Sequence, residues 1–331
     1  MTDQHNRIER RKVLLASGAG LLTVGLGLPR MAMAQTKLRQ GFQTNIWGMP
    51  TYYLLRSGLL EKHGISFEEF AVPSGNLTMQ QMVARQVDVG TYAGPSFVTG
   101  NAKGGLVAIA VIEQVGKTTS IMARKELNIT KVEQLKGLKV ANQTGSSIGN
   151  IFVNQIAPAH GLKKGDYTEV RMNVNDMVAA MAAKTVDVMV NVEPYNAIAV
   201  ADGLATQVMN YYDVDTMPVV MAATPEFVQS QPDMVVNYLK AWLEVAKDFK
   251  EKPDQVAKVI YDFYASKGYK MSPQTFKNAL STIIVDPGFP SDFESYAQKQ
   301  AEILVKAKKI AKVPDWKVAL RPDFMAKAMK G

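Results

Sequence analysis

The chain has 331 residues, 47% hydrophobic and 21% charged, with no cysteine, three histidines and a net charge of +8. Without cysteine there is no disulfide framework, thiol nucleophile, iron–sulfur cluster or cysteine–zinc site, and three histidines are too few for a histidine metal cage. At this length one core usually splits, so two lobes are expected, and the positive charge raises nucleic acid as a partner to be tested.

Residues 1–34 read as an export signal. Arg10, Arg11 and Lys12 form a basic block, an uncharged run interrupted by glycines follows from Val13 to Leu28, and Ala32-Met33-Ala34 supplies a small-x-small cleavage site. The run is too short to span a bilayer. Its paired arginines resemble a twin-arginine signal, with cleavage expected after Ala34 and a periplasmic location for the remainder. Arg7, Arg10, Arg11, Lys12 and Arg30 outnumber Asp3 and Glu9 by three, so five of the eight net charges stay with the rest of the chain. Those lysines are scattered among acids, as Lys240 with Glu244 and Lys247 with Glu251, which is the pattern of solvated helix faces. No basic run is interleaved with aromatics, so nucleic acid drops out.

Lys37 to Phe42 reads as a strand, the loop Gln43 to Met49 follows, and Pro50 stands at a favourable first position for a helix over Tyr52 to Leu60. His63-Gly64 stops that helix, Ile65 to Val72 is β-rich, and Asn76 is placed to cap the next helix. Leu106 to Glu113 and Ser120 to Ala123 are short β-rich runs suited to crossing between lobes. Leu138 to Ala141 is then a strand, Asn142 to Ser147 a loop and Ile148 to Ala159 a helix. His160-Gly161, a strand over Tyr167 to Met172 and a capping Asn175 repeat the earlier order. Pro218 to Ala223 reads as a buried strand. From Thr224 onward the chain is helical, with Pro225, Pro232, Pro253, Pro273 and Pro290 as helix starts and Val236, Leu239, Leu243, Ala246 and Phe249 facing the core.

An internal repeat organises these elements. Met82-Val-Ala-Arg-Gln-Val-Asp-Val89 matches Met181-Ala-Ala-Lys-Thr-Val-Asp-Val188 at a spacing of 99, and His63-Gly64 matches His160-Gly161 at 97. The expected fold is α/β, with two lobes of mostly parallel sheet flanked by helices and joined by two crossover segments. Lobe 1 would comprise 35–120 and 215–331, and lobe 2 would comprise 121–214.

In such sheets ligands bind beyond the carboxyl ends of the strands. The loops there carry Asn45 and Trp47; Ser74 and Asn76; Tyr92, Pro95 and Ser96; Thr144, Gly145, Ser146 and Ser147; Asn173; and Glu193 with Tyr195. Small hydroxyl and amide residues opening helices make natural anion sites. Taken singly, Ser74-Gly75-Asn76 and Thr144-Gly145-Ser146 also fit ordinary turn-and-cap sequences, and Trp47 fits a pocket wall or a core plug equally. Glu193 suits a solvated helix start or a contact with an amine or hydroxyl. Both histidines of the repeat sit beside glycines at helix ends and read as structural. There is no Gly-x-Ser-x-Gly elbow, no phosphate loop ending in Gly-Lys-Ser/Thr and no dinucleotide fingerprint, so no catalytic residue, metal or cofactor is assigned.

Signal, duplicated α/β unit and returning helical tail together resemble the solute-binding proteins of bacterial ABC importers. The closest likeness is to the branch of sulfonate, taurine and nitrate binders and thiamine-precursor (NMT1/THI5-like) binders. The residues that carry it are Tyr53 to Gly64, Ser74-Gly75-Asn76, Val83 to Gly90, Gly94-Pro95-Ser96, Leu135 to Ala141 and Glu193-Pro194-Tyr195. The resemblance implies a type II periplasmic-binding-protein fold that closes on its ligand and delivers it to membrane permease subunits, as a monomer and without chemistry. A related pyrimidine-precursor synthase uses a cysteine-rich motif, which a chain without cysteine cannot share. No arginine lies in the first-lobe loops, and Arg124 and Arg171 are only neighbours of the cleft. Trp47, Tyr92 and Tyr195 therefore favour an organic anion, a sulfonate or carboxylate with an aromatic body allowed. A pyrimidine precursor, a nitrate-like anion, a ligand-presenting sensor and a secreted α/β enzyme are the alternatives.

Overall fold

The computed structural model describes residues 37–330. The expected export signal and cleavage after Ala34 lie outside the described residues, and among these no helix is long and apolar enough to cross a membrane. The strands in chain order are β1 (Leu38–Gln43), β2 (Phe67–Val72), β3 (Val89–Ala93), β4 (Val107–Gln114), β5 (Thr119–Arg124), β6 (Lys139–Asn142), β7 (Thr168–Arg171), β8 (Val188–Val192), β9 (Ala205–Asn210), β10 (Pro218–Ala223) and β11 (Ile284–Gly288).

They build two mixed sheets. The first has the order β11-β4-β10-β3-β1-β2 and the second β7-β6-β8-β5-β9. Read from the β2 and β7 edges, the first five strands of each sheet follow one plan. Three parallel strands come first, β2-β1-β3 in one sheet and β7-β6-β8 in the other. An antiparallel strand follows, β10 or β5, and then β4 or β9. In each case the antiparallel strand is the segment that has just arrived from the other sheet. The passages between sheets, Val115–Thr118 and Tyr211–Met217, lie side by side. Val115 and Gly116 N–H groups donate to the carbonyls of Met217 and Thr216 at 3.2 and 2.9 Å. A side chain on Gly116 would meet the Asp215 carbonyl at 2.5 Å, so glycine permits this close approach.

The repeated sequence has a local physical meaning. After the Gly75–Val83 and Met177–Ala182 helices, Arg85 and Lys184 adopt left-handed φ values of 61° and 56°. Each turn is closed by N–H bonds back to the helix, Arg85 to Met82 and Lys184 to Met181 at 2.9 and 3.0 Å. Three residues on, Asp88 and Asp187 each donate N–H to the strand beside them, at Arg39 and Lys139, 2.9 Å in both. Their carboxylates accept the N–H of the same two residues at 3.0 and 2.9 Å. Each aspartate also holds a guanidinium, Arg39 for Asp88 and Arg124 for Asp187. His63 and His160 end their helices next to Gly64 and Gly161, both at φ 73°. Their rings bond to Glu244 and Glu133 at 2.7 and 2.8 Å.

Four expectations are corrected. Asn76 and Asn175 do not cap helices: Ser74 and Asn173 occupy the cap positions, and the Asn175 amide donates to Asp176. The run from Ile148 is not one regular helix; Ser147–Ile151 passes into a wider π turn over Phe152–Ile156 before Ala157–Ala159. Pro290 precedes its helix without starting it, since Asp292 is the cap of Phe293–Lys306. In the Pro232–Glu251 helix the deepest face is Val235, Tyr238, Leu239, Trp242 and Val245, rotated from the expected stripe. The aromatic pair decides that rotation, because the Tyr238 hydroxyl reaches the buried Gln40 at 2.5 Å. β11 escaped the sequence reading because Pro287 interrupts it, which an edge strand tolerates.

Candidate functional site

The carboxyl ends of β1, β2, β3, β6, β7 and β8 supply the loops with the singled-out residues. β1 ends on the buried Gln43, whose side-chain oxygen accepts the Gly75 N–H at 2.8 Å and the Asn45 amide at 3.1 Å. Asn45 is itself 2% exposed and accepts the Trp47 N–H at 3.0 Å, which turns the chain into the next helix. Trp47 is 3% exposed, and its indole N–H donates to the Thr118 hydroxyl at 2.6 Å. Thr118 belongs to the passage between the sheets, so the indole touches the joint itself.

Ser74 is buried and opens the Gly75–Val83 helix without a side-chain cap bond. Gly94 and Pro95 begin the Gly94–Gly104 helix tightly against the C-terminal region, where a side chain on Gly94 would strike Tyr296 at 2.4 Å. Ser96, in the first turn, meets the second sheet's side directly. Its N–H and hydroxyl lie 3.1 and 2.9 Å from the Ser147 hydroxyl. The Ser146 hydroxyl is occupied locally, accepting from Gly149 and donating to the Gln143 carbonyl. Tyr92 lies in an apolar cluster with Met82, Phe97 and Phe293, its hydroxyl 3.5 Å from the Met82 sulfur and its pKa pushed up by burial.

Glu193 follows β8 and precedes the Tyr195–Ala201 helix. Its Oε2 accepts the Ala197 N–H at 3.0 Å, but burial outweighs that bond and pushes the carboxyl up to about 7. Tyr195 is 3% exposed and meets Tyr269 edge-on at 5.6 Å. Tyr269 meets Tyr264 at 5.8 Å, and the Tyr264 hydroxyl donates to the Thr44 carbonyl at 3.3 Å. Three tyrosines thus run from the end of β8 to the end of β1.

The singled-out residues fall into two groups. Asn45, Trp47, Ser74, Ser96, Ser147, Glu193 and Tyr195 are buried or half-buried near the joint. Asn76, Thr144 and Gly145 instead line a hollow of about 470 Å³ with Asn150, Lys103, Arg171 and Lys309. Thr144 is exposed and donates to Glu169 at 2.7 Å, Gly145 has φ 87°, and Asn173 is exposed. Arg124 is committed to Asp187 and Glu126. Among the described residues no group of three or more His, Asp or Glu is placed to hold a metal ion.

The sequence reading missed Gln43, Asn142, Thr118, Asn196, Tyr264 and Tyr269. Gln43 and Asn142 had a signal, since both are the last residue of a buried strand at the repeat spacing of 99. Both leave a buried amide atom without a partner, Nε2 of Gln43 and Oδ1 of Asn142, as does Asn196 with its Oδ1. Unpaired buried polar atoms are costly, and at strand ends they mark a place for a ligand's polar groups. Tyr264 and Tyr269 had no local signal; the Pro253–Ser266 helix brings them from the far end of the chain.

Comparison with known proteins now identifies the family. The model described as "NMT1/THI5 like" matches residues 45–256. The chain belongs to this family. A putative binding protein of Brucella abortus is 26% identical over 77% of this chain and 79% of its own length. A putative aliphatic sulfonates-binding protein of Escherichia coli is 29% identical over 58% of this chain and 60% of its own. The alkanesulfonate-binding protein SsuA from Xanthomonas axonopodis pv. citri, solved bound to MOPS, superposes with a TM-score of 0.74. It is 18% identical and covers 86% of this chain and 98% of that one, which establishes the shared periplasmic-binding-protein fold. The relatives of this NMT1/THI5-like chain also include a putative ABC transporter periplasmic binding protein of Brachyspira hyodysenteriae, 23% identical over 75% of each chain.

Proposed function

We propose that this chain is the solute-binding component of an ABC importer, exported to the periplasm and working as a monomer without chemistry. It captures a small organic anion, a sulfonate or carboxylate, between the two sheets and delivers it to membrane permease subunits. The lobes divide near residues 120 and 215, and closure about Val115–Thr118 and Tyr211–Met217 brings the loops together. The observation that carries this reading is the Ser96–Ser147 contact, which joins strand-end turns of both sheets. The solute's acidic group is met by the N–H groups and hydroxyls at the start of the Gly94–Gly104 helix, and its body by Trp47, Tyr195 and Tyr269.

One observation favours a second reading. Glu193 is half-buried with Tyr264 as an electrostatic neighbour, and none of the inner groups named above is a lysine or arginine, which suits an amino-substituted pyrimidine. Fluorescence titration at pH 8 with alkane- and arylsulfonates, carboxylates and aminopyrimidines tests both. For an anionic solute, Glu193→Gln removes a like charge and tightens binding severalfold; for an aminopyrimidine it weakens binding about tenfold or more. Failure of every solute to alter the emission sinks both readings.

A further inference from the structure

Three cations line the hollow that holds Asn76, Thr144 and Gly145. Lys103 stands near the end of the Gly94–Gly104 helix, Arg171 is the last residue of β7, and Lys309 follows the Phe293–Lys306 helix. Together with Asn76, Thr144 and Asn150 they line its wall; the one acid at its rim is Glu169, which accepts the Thr144 hydroxyl at 2.7 Å and lines the adjoining hollow, so the cations still outnumber it three to one. Elsewhere the described arginines are matched with acids: Arg39 with Asp88, Arg56 with Glu69, Arg85 with Glu226, Arg124 with Asp187 and Arg321 with Asp323. Among the described residues Arg171 makes no ion pair, and neither does Lys103 or Lys309. Like charges gathered around one concavity repel one another, and a negative occupant converts that repulsion into attraction.

We propose that this hollow is a second binding site, for a tetrahedral oxyanion, held by Arg171, Lys103 and Lys309 with the Asn76 and Asn150 amides as further donors. It is distinct from the inner cleft. Lys103 lies two helical turns beyond Ser96, roughly 10 Å along the helix axis. Its walls come from both sides of the molecule: Asn76 and Lys103 from the first sheet's helices, Thr144, Asn150 and Arg171 from the second sheet's segments. An occupant therefore bridges the two sides and favours their approach. The same chemistry fits a free inorganic dianion and the acidic group of a solute on its way inward.

Calorimetric titration with sodium phosphate, sodium sulfate and sodium methanesulfonate at fixed ionic strength tests the site. Saturable phosphate or sulfate binding is expected, weakened about tenfold by Arg171→Gln, which is about 1.4 kcal/mol. Lys317→Gln, which removes one exposed charge elsewhere, is expected to leave it unchanged. Methanesulfonate binding lost in the same Arg171 variant assigns the site to a solute's acidic group. Methanesulfonate binding that is absent assigns it to a free dianion. No saturable binding, or equal weakening by Lys317→Gln and Arg171→Gln, overturns the proposal. The solute titration read from the inner cleft is independent, so either conclusion can fail without the other.

Discussion

The two sheets share what holds them and differ in what they show to the cleft. Asp88 and Asp187 perform one task, each bonding twice to the neighbouring strand and holding one guanidinium. Arg85 and Lys184 close the same turn in the same backbone conformation. The loops diverge by contrast. The first sheet offers Asn45 and an indole locked to Thr118, and the second offers a half-buried carboxyl and Tyr195. The repeated motif marks strand-to-helix joinery, while the two copies disagree in the loops proposed to meet the solute.

The strongest test of this comparison uses two equivalent glycines. Gly48 ends the short Ile46–Gly48 turn after β1 and Gly149 lies in the Ser147–Ile151 helix after β6, each packed on a backbone carbonyl at or next to the strand end. A side chain on Gly48 would meet the Gln43 oxygen at 1.7 Å, and one on Gly149 the Gln143 oxygen at 2.5 Å. Gly48→Ala is expected to cost more than about 3 kcal/mol and Gly149→Ala somewhat less, as measured by urea unfolding. A tolerated Gly48→Ala would break the equivalence. The aspartates come next. Asp88→Ala and Asp187→Ala are each expected to cost about 2–3 kcal/mol, and costs differing by more than that would show that the two copies do not carry equal load.

A pH series probes the divergent part. Glu193 titrates near 7 in the folded chain against an ordinary 4.5, raised by burial. Between those values the folded state holds a proton that the unfolded state has lost, so stability falls as pH rises from about 4.5 to 7 and then levels. Buried Glu113, its oxygens unpartnered and its carboxyl raised by burial, adds a slope of the same sign. Glu193→Gln is expected to remove on the order of 2 kcal/mol of that decline, seen as a flatter melting temperature between pH 5 and 8. A slope unchanged in the variant would place its source elsewhere. The smallest effect separates the turns. Lys184→Gly relieves a left-handed backbone and loses only an exposed pair with Glu126 at 3.6 Å, so it is expected to be neutral or stabilising by about 0.5 kcal/mol. Arg85→Gly also loses the bonds to Gly104 and Glu226 and is expected to destabilise.

Much of this architecture was legible because it is local. The spacing of 99 located β3 and β8, and Pro218 to Ala223 marked β10 to the residue. The joinery was legible too, although its meaning was not: Asn76 resembled a cap because the capping Ser74 stands two residues earlier. The site was only partly readable. Trp47, Ser96 and Glu193 announce themselves as unusual residues at strand ends. Tyr264 and Tyr269 do not, because a helix packed from a distance selects them. The cationic hollow was half legible: Asn76, Thr144 and Gly145 stood among the candidates and Arg171 among the neighbours of the cleft, whereas Lys103 and Lys309 are ordinary surface residues until separate elements bring them to one wall.

The exchange of strands between the sheets constrains how the molecule is made. β3 and β4 flank β10, so the first sheet has a gap at its centre until residue 223 has left the ribosome. By then the second sheet already has all its strands, since β9 ends at Asn210. The half that begins first is therefore completed last, and a chain stopped after Asn210 would carry one finished sheet and one with an open slot, ready to accept β10 supplied as a separate peptide.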